Sequence, residues 1–124
     1  MTTIHRIHPA PPMRGRFHLD VCHEDPGEVV IYVVGELDIA TTPVLRGSLW
    51  DLFDVDTPWS TLEVDLSAAP FVDVSAAGLL LNAHRRAEER GSTLSLTHCS
   101  AQLVRLLHLA HVVELIEGIP AHDE

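Results

Sequence analysis

The sequence predicts an α/β domain, and three observations carry that reading. Segments with strand character, either alternating or wholly apolar, are interleaved with segments of helical periodicity. Hydrophobic residues make up 46% of the chain but aromatics only 5%, so Val, Leu, Ile and Ala must fill the interior, as suits aliphatic strands and helices in layers. A length of 124 residues fits one such domain and leaves little for a second. The element order is β β α β α β α followed by a tail. Crossovers of the βαβ kind place the later strands parallel, with helices packed on the sheet.

Residues 1–15 contain Pro9, Pro11 and Pro12 without apolar periodicity and read as a flexible arm. The folded unit is expected over residues 16–119, with 120–124 as a tail. Phe17, Leu19 and Val21 alternate with His18 and Asp20, the period of a half-buried strand. Asp25, Pro26 and Gly27 supply turn chemistry, and the run from Val29 to Val34 is apolar and β-branched enough for a buried strand paired with the first in a hairpin. Thr42 and Pro43 read as an N-cap with proline at the first helical position, and Leu45, Leu49, Leu52 and Phe53 form one helical face. Leu62, Val64 and Leu66 alternate as a third strand. Ala76, Leu79, Leu80, Ala83 and Ala87 mark a second helix from about Ser75 to Arg90, stopped by Gly91. Thr93 to Thr97 alternate again, Ser100 can cap a third helix through Leu103, Leu106, Leu107 and Ala110, and residues 112–116 are expected as a short last strand or helix extension.

Charge and composition exclude several functions. The formal net charge is −10, which repels phosphate backbones and anionic bilayers, so neither direct nucleic-acid binding nor membrane insertion is expected. Cys22 and Cys99 lack CxxC spacing and fit a reducing cytoplasm better than a disulfide scaffold. The first sixteen residues lack the apolar stretch of a signal peptide, and the uncharged run from Val74 to His84 is shorter than the roughly 20 residues that span a bilayer. His108 and His111 stand three apart on the third helix, but two ligands are too few for zinc, and no metal is expected. His98 and Cys99, as strand neighbours, point apart. No GxSxG, GxGxxG or GxxxxGK[ST] pattern occurs, so no enzyme and no cofactor are expected. Trp50 and Trp59 flank the end of the first helix and read as packing residues; either one, if partly exposed, would suit an interface. Asp38 and Asp65 follow strands and read as loop caps.

The most informative stretch is Asp65 to Gly78: a strand end, a short loop carrying Asp73, and a helix opening on Ser75. Free amides and the dipole at a helix N-terminus favour an anion, so a phosphoryl group placed there would be held or would repel a partner. The plainer alternative makes Ser75 an N-cap and Asp73 a loop carboxylate.

From Phe17 to Glu117 the sequence resembles the STAS domain. The resemblance lies in Gly35-Glu36-Leu37-Asp38 followed by Thr42, the strand end Asp65-Leu66-Ser67, Phe71-Val72-Asp73 before the helix, and Gly91 after it. It implies a STAS-like fold, a mixed and mostly parallel β-sheet with helices largely on one face. It further implies an anti-sigma factor antagonist, whose partner is an anti-sigma factor of the GHKL-type serine kinase class and whose binding releases a sigma factor. A STAS subunit of a lipid-transport ABC ATPase complex is the alternative, and a small-molecule-binding or nucleotide-hydrolysing domain the third class. The implied interface is a face built from the turn at residues 38–42 and the loop-helix junction at residues 71–77, with Asp38, Thr42, Asp73, Val74, Ser75, Ala76 and Ala77 as its named residues; a homodimer is compatible with all of these.

In the family the loop reads Asp-Ser-Ser-Gly or Asp-Ser-Thr-Gly, and the first serine accepts the phosphate that switches the antagonist off. This chain departs there. Asp73 is kept, Val74 holds the acceptor position, Ser75 matches the second hydroxyl residue, and Ala76 replaces the glycine. Three explanations follow, in order of rising demand: a constitutively competent antagonist or a partner-binding variant controlled by synthesis or location, phosphorylation shifted to Ser75, or a different STAS role. An uncharged, apolar valine at the helix mouth favours the first.

Overall fold

The computed structural model describes residues 17–24, 26–54 and 59–109. Its elements are β1 (His18–His23), β2 (Glu28–Val34), α1 (Thr42–Asp54), β3 (Thr61–Ala68), α2 (Val74–Glu89), β4 (Thr93–Thr97) and α3 (Ala101–Leu109). The strands lie in the order β1-β2-β3-β4. Among the described residues only the β1–β2 hairpin is antiparallel, and each crossover through a helix returns a parallel strand. Every expected element within these residues is present. The expected strand at 112–116, Ala110, His111, the arm and the tail lie outside them.

Register decides which side of the sheet becomes core. Val29 and Ile31 of β2 align with Leu62 and Val64 of β3, these with Leu94 and Leu96 of β4, and Val33 follows on the same face of β2. All join one cluster with Leu45, Leu49 and Leu52 of α1, Ala76, Leu79, Leu80, Ala83 and Ala87 of α2, and Leu103 and Leu107 of α3, so the helices share that face. Of the four alanines on α2, Ala76, Ala83 and Ala87 are fully buried and let that helix lie close to the strands, because a methyl side chain holds the backbone back least.

Local chemistry sets the boundaries. Gly27 sits at φ +86 in the hairpin turn, where its carbonyl accepts from the amides of Ser60 and Thr61; a Cβ there would stand 3.1 Å from Ser60 Oγ. At the end of α2, Gly91 at φ +81 donates to Glu88 O and Ser92 N–H donates back to Ala87 O, closing a Schellman turn at the predicted stop. Ser100 Oγ accepts from Leu103 N–H and caps α3 as expected. Trp59 is buried, with its indole N–H donating to Leu52 O. Arg90 stacks 4.1 Å from the Trp59 ring and Arg86 lies 4.5 Å from that of Trp50, joining α1 to α2.

The β2–β3 ladder contains a bulge. Tyr32 faces Asp65, but Val34 faces Ala68, so Leu66 and Ser67 together oppose Val33. Asp65, 5% exposed, supports the irregularity: its Oδ1 accepts from Ser67 N–H at 2.9 Å and from the Ser67 hydroxyl at 2.7 Å, while His98 Nδ1 lies 3.2 Å away. The strand-end aspartate thus caps a bulge rather than a loop. Asp65→Ala is expected to lower the unfolding free energy by about 1–2 kcal/mol. Asp65→Asn, which keeps the acceptor, should lose less, and urea denaturation measures both.

Burial pushes the Cys99 thiol up to about 11. At pH 8 its reactive thiolate is therefore scarce in the folded state. Iodoacetamide should label Cys99 at least about ten-fold more slowly in the native protein than in urea; equal rates would contradict that burial.

Candidate functional site

The ladder between β2 and β3 does not stop where the strands end. Gly35 N–H donates to Ala68 O at 2.9 Å, Leu37 N–H to Phe71 O at 2.8 Å, and Asp73 N–H to Leu37 O at 3.1 Å. Leu37 and Val72 form a parallel bridge, and both side chains are buried. The two loops are therefore zipped together, and the residues that follow each, Asp38 to Thr42 and Asp73 to Ser75, emerge at one edge. That edge is the carboxyl end of the parallel strands, where α/β sheets commonly place functional groups.

The first loop ends in a tightly bonded turn. Asp38 Oδ1 accepts from the amides of Ala40 (2.9 Å) and Thr41 (3.1 Å). Thr41 Oγ1 accepts from Asp38 N–H at 2.9 Å and donates to Glu36 O at 2.7 Å. Thr42 is not the expected cap. Its hydroxyl and amide both donate back to Asp38 O, at 2.6 and 2.8 Å, and its side chain is only 2% exposed. The threonine anchors the turn from beneath, while Thr41, which helical spacing does not distinguish, makes the bonds at the surface.

The second loop corrects the assignment at α2. The N-cap is Asp73, in extended geometry, and the helix opens on Val74, one residue before the expected start. Asp73 Oδ1 accepts from Ser75 N–H (2.9 Å), Ala76 N–H (3.4 Å) and the Ser75 hydroxyl (2.6 Å). Both residue types serve as caps, but the carboxylate lies one position outside the helix, where an acceptor meets the orphan amides. Ser75, already inside, has only a donor's part. The hydroxyl of Ser75 holds the Asp73 carboxyl below the usual carboxylate value, opposed by a desolvation effect and reinforced by the amides of Ser75 and Ala76. The helix mouth thus already holds its own anion.

Of the residues expected at the interface, Val74 stands outward, 67% exposed. Asp38, Asp73, Ser75 and Ala77 are half-buried, with Ala77 packed against the core. Ala76 is fully buried, so like Thr42 it supports the surface from below. Ile39, within the turn at residues 38–42, and Phe71, at the start of the junction at residues 71–77, are exposed apolar side chains that periodicity does not single out, and Val44 on the first turn of α1 is a third. The available signal was apolar residues lying within or beside turn segments, off any buried stripe. Among the described residues no group of three or more His, Cys, Asp or Glu could hold a metal ion, and no helix is long and apolar enough to cross a membrane.

A family model described as Mlab, STAS domain, matches residues 22–117. The anti-sigma-B factor antagonist of Listeria monocytogenes serovar 1/2a is 26% identical over 99 residues, covering 80% of this chain and 85% of that protein. Its counterpart in Bacillus subtilis strain 168 is 22% identical over 94 residues, covering 76% and 84%. Among solved structures, the phosphorylated form of the Bacillus cell fate determinant SpoIIAA superposes with a TM-score of 0.68 at 19% identity, over 80% of this chain and 88% of that one. An anti-sigma factor antagonist from Mycobacterium paratuberculosis gives 0.69 at 22% identity, over 82% and 84%. At such identities the solved structures speak for the fold alone.

The sign of the Asp73 perturbation fixes a pH dependence. A carboxyl held below its ordinary value of 3.8 contributes stability that is fully present above that value and is lost as pH falls through the lower, folded value. Asp73→Ala should lower the thermal midpoint at neutral pH, with the gap from wild type closing below that range. Asp73→Asn, an uncharged acceptor, should fall between them; a gap constant down to strongly acidic pH would contradict the assignment.

Proposed function

The chain belongs to the STAS-domain family, and from that we propose that it is an anti-sigma factor antagonist, acting in the cytoplasm by binding an anti-sigma factor and so freeing a sigma factor. The observation that carries this reading is the exposed apolar side chain of Val74 at the first turn of α2, beside the turn at Asp38 on the zipped edge. It is supported by the curated relatives, which are anti-sigma-B factor antagonists over most of their length. The work is done by shape and desolvation, with no bond made or broken in this chain.

Phosphate control of the family kind needs a hydroxyl at position 74, and valine has none. Ser75 is a poor substitute for two reasons. Its hydroxyl is engaged by Asp73 at 2.6 Å, and a phosphate there would set two more negative charges beside that carboxylate. One residue along a helix also turns the side chain by about 100° away from the outward direction of Val74. The antagonist is therefore read as permanently competent toward a partner of the GHKL-type serine kinase class, with its supply governed by synthesis. A second reading, the STAS subunit of a lipid-transport ABC ATPase complex, has the description of the matched family model on its side. Affinity capture separates the two, since one yields an anti-sigma factor with its sigma factor and the other an ATPase with a permease.

Incubation of the purified chain with its cognate kinase and ATP should leave the intact mass unchanged, while Val74→Ser should gain a single phosphate. A phosphate on Ser75 of the wild type would overturn permanent competence. Ala77→Asp, which sets a charge against the core at the same helix entrance, should weaken either partner binding or stability. Unchanged values of both would remove Ala77 from the interface.

A further inference from the structure

The turn from Asp38 to Thr42 has a consequence beyond starting α1: it holds Ile39 out into solvent. Ile39 is 75% exposed, the most exposed large hydrophobic side chain among the described residues. Its flanks are pinned by the Asp38 carboxylate on Ala40 and Thr41, by the Thr41 hydroxyl on Asp38 and Glu36, and by two hydrogen bonds that the Thr42 hydroxyl and amide donate to Asp38 O. Single exposed apolar residues are ordinary on protein surfaces. Here Val44, Phe71 and Val74 are also exposed, on the two paired loops or the first turns of the helices that follow them, and exposed apolar side chains along one edge mark interaction sites. An apolar side chain on a rigid turn has little backbone freedom left to lose on binding, which suits it to be an anchor in a desolvated pocket.

The charge around it is one-sided. Glu36, Asp38 and Asp73 lie on the two loop segments, residues 35–45 and 67–83 contain no Lys or Arg, and the first cation along α1 is the exposed Arg46, one turn beyond Thr42. Self-association through this edge would bring carboxylates against carboxylates in an isologous contact, whereas a basic rim on a different protein would complement them. Resting on the reading of the chain as an anti-sigma factor antagonist, the geometry points to Ile39 as the principal anchor of the docking surface. It seats in an aliphatic recess of the anti-sigma factor whose rim carries Lys or Arg. The carboxylates, above all the exposed Glu36, steer the encounter, and Ile39 with Val74 sets how long the complex lasts.

The test is surface plasmon resonance against each purified anti-sigma factor encoded in the same genome, at low and high salt. Wild type is compared with Ile39→Ser, Glu36→Gln and Val74→Glu, the folding of each being checked by circular dichroism. Ile39→Ser should raise the dissociation rate at least about ten-fold at both salt concentrations. Glu36→Gln should slow association at low salt only. Wild-type kinetics for Ile39→Ser, alongside lost binding for Val74→Glu, would overturn the anchor and leave the antagonist reading standing. Binding to no anti-sigma factor would overturn both. A wild-type homodimer in analytical ultracentrifugation that Ile39→Ser dissociates would make the occupant a second copy and overturn the proposal.

Discussion

The pairing of two loops beyond the ends of β2 and β3 is the constraint from which the rest of the edge follows. Three backbone bonds, Gly35 to Ala68, Leu37 to Phe71 and Asp73 to Leu37, hold segments separated by more than thirty residues in a fixed offset. The buried side chains of Leu37 and Val72 tie that offset to the core. Without it, the turn at Asp38 and the mouth of α2 would be two independent loops, each free to sample its own conformations. With it, they form one surface whose geometry is inherited from the sheet.

The offset is produced gradually. Tyr32 faces Asp65, Val34 faces Ala68 and Leu37 faces Val72, so the second segment gains a residue on the first at each step. The first gain is the bulge braced by Asp65, and the next follows Gly35, which sits at φ +110 in a conformation that side-chain-bearing residues resist. Gly35, Leu37 and Asp38 therefore have three separate duties: a backbone conformation, a core anchor and a turn acceptor. The short motif that first suggested a family is, in physical terms, a device for bringing β2 out of the sheet and into α1 in register with its neighbour.

That division of labour explains what was legible in the sequence. Val29 to Val34, buried on both faces and apolar throughout, and Ala76 to Ala87, apolar on one helical face, announce themselves because burial imposes the pattern. Caps do not, since Asp73 and Ser75 are both competent acceptors and only the position of the helix entrance selects between them. Thr42 is ambiguous for the same reason: a hydroxyl both donates and accepts, and composition does not show that this one turns back to Asp38 O. Ile39 and Phe71 fall inside the two segments that the family resemblance implies, yet their individual exposure is not legible, because residues within or beside a turn belong to no period. Their exposure is a property of the loop pairing, which is not local in the chain.

The cap at Asp73 also explains how valine can occupy position 74 without harm to the fold. The bonds that start α2 run from Asp73 to the amides of Ser75 and Ala76 and to the Ser75 hydroxyl, and none uses the side chain between them. At the first helical position a β-branched residue has no preceding helical turn to crowd, so the ordinary penalty for valine inside a helix is relieved. The folded state is thus nearly indifferent to what stands there. A position that folding leaves free, yet which projects from a rigid edge, is set by whatever meets that edge. On the proposed reading, losing the hydroxyl removes the phosphate switch and adds apolar area to the contact in one substitution, leaving the cap, the bulge and the loop pairing untouched.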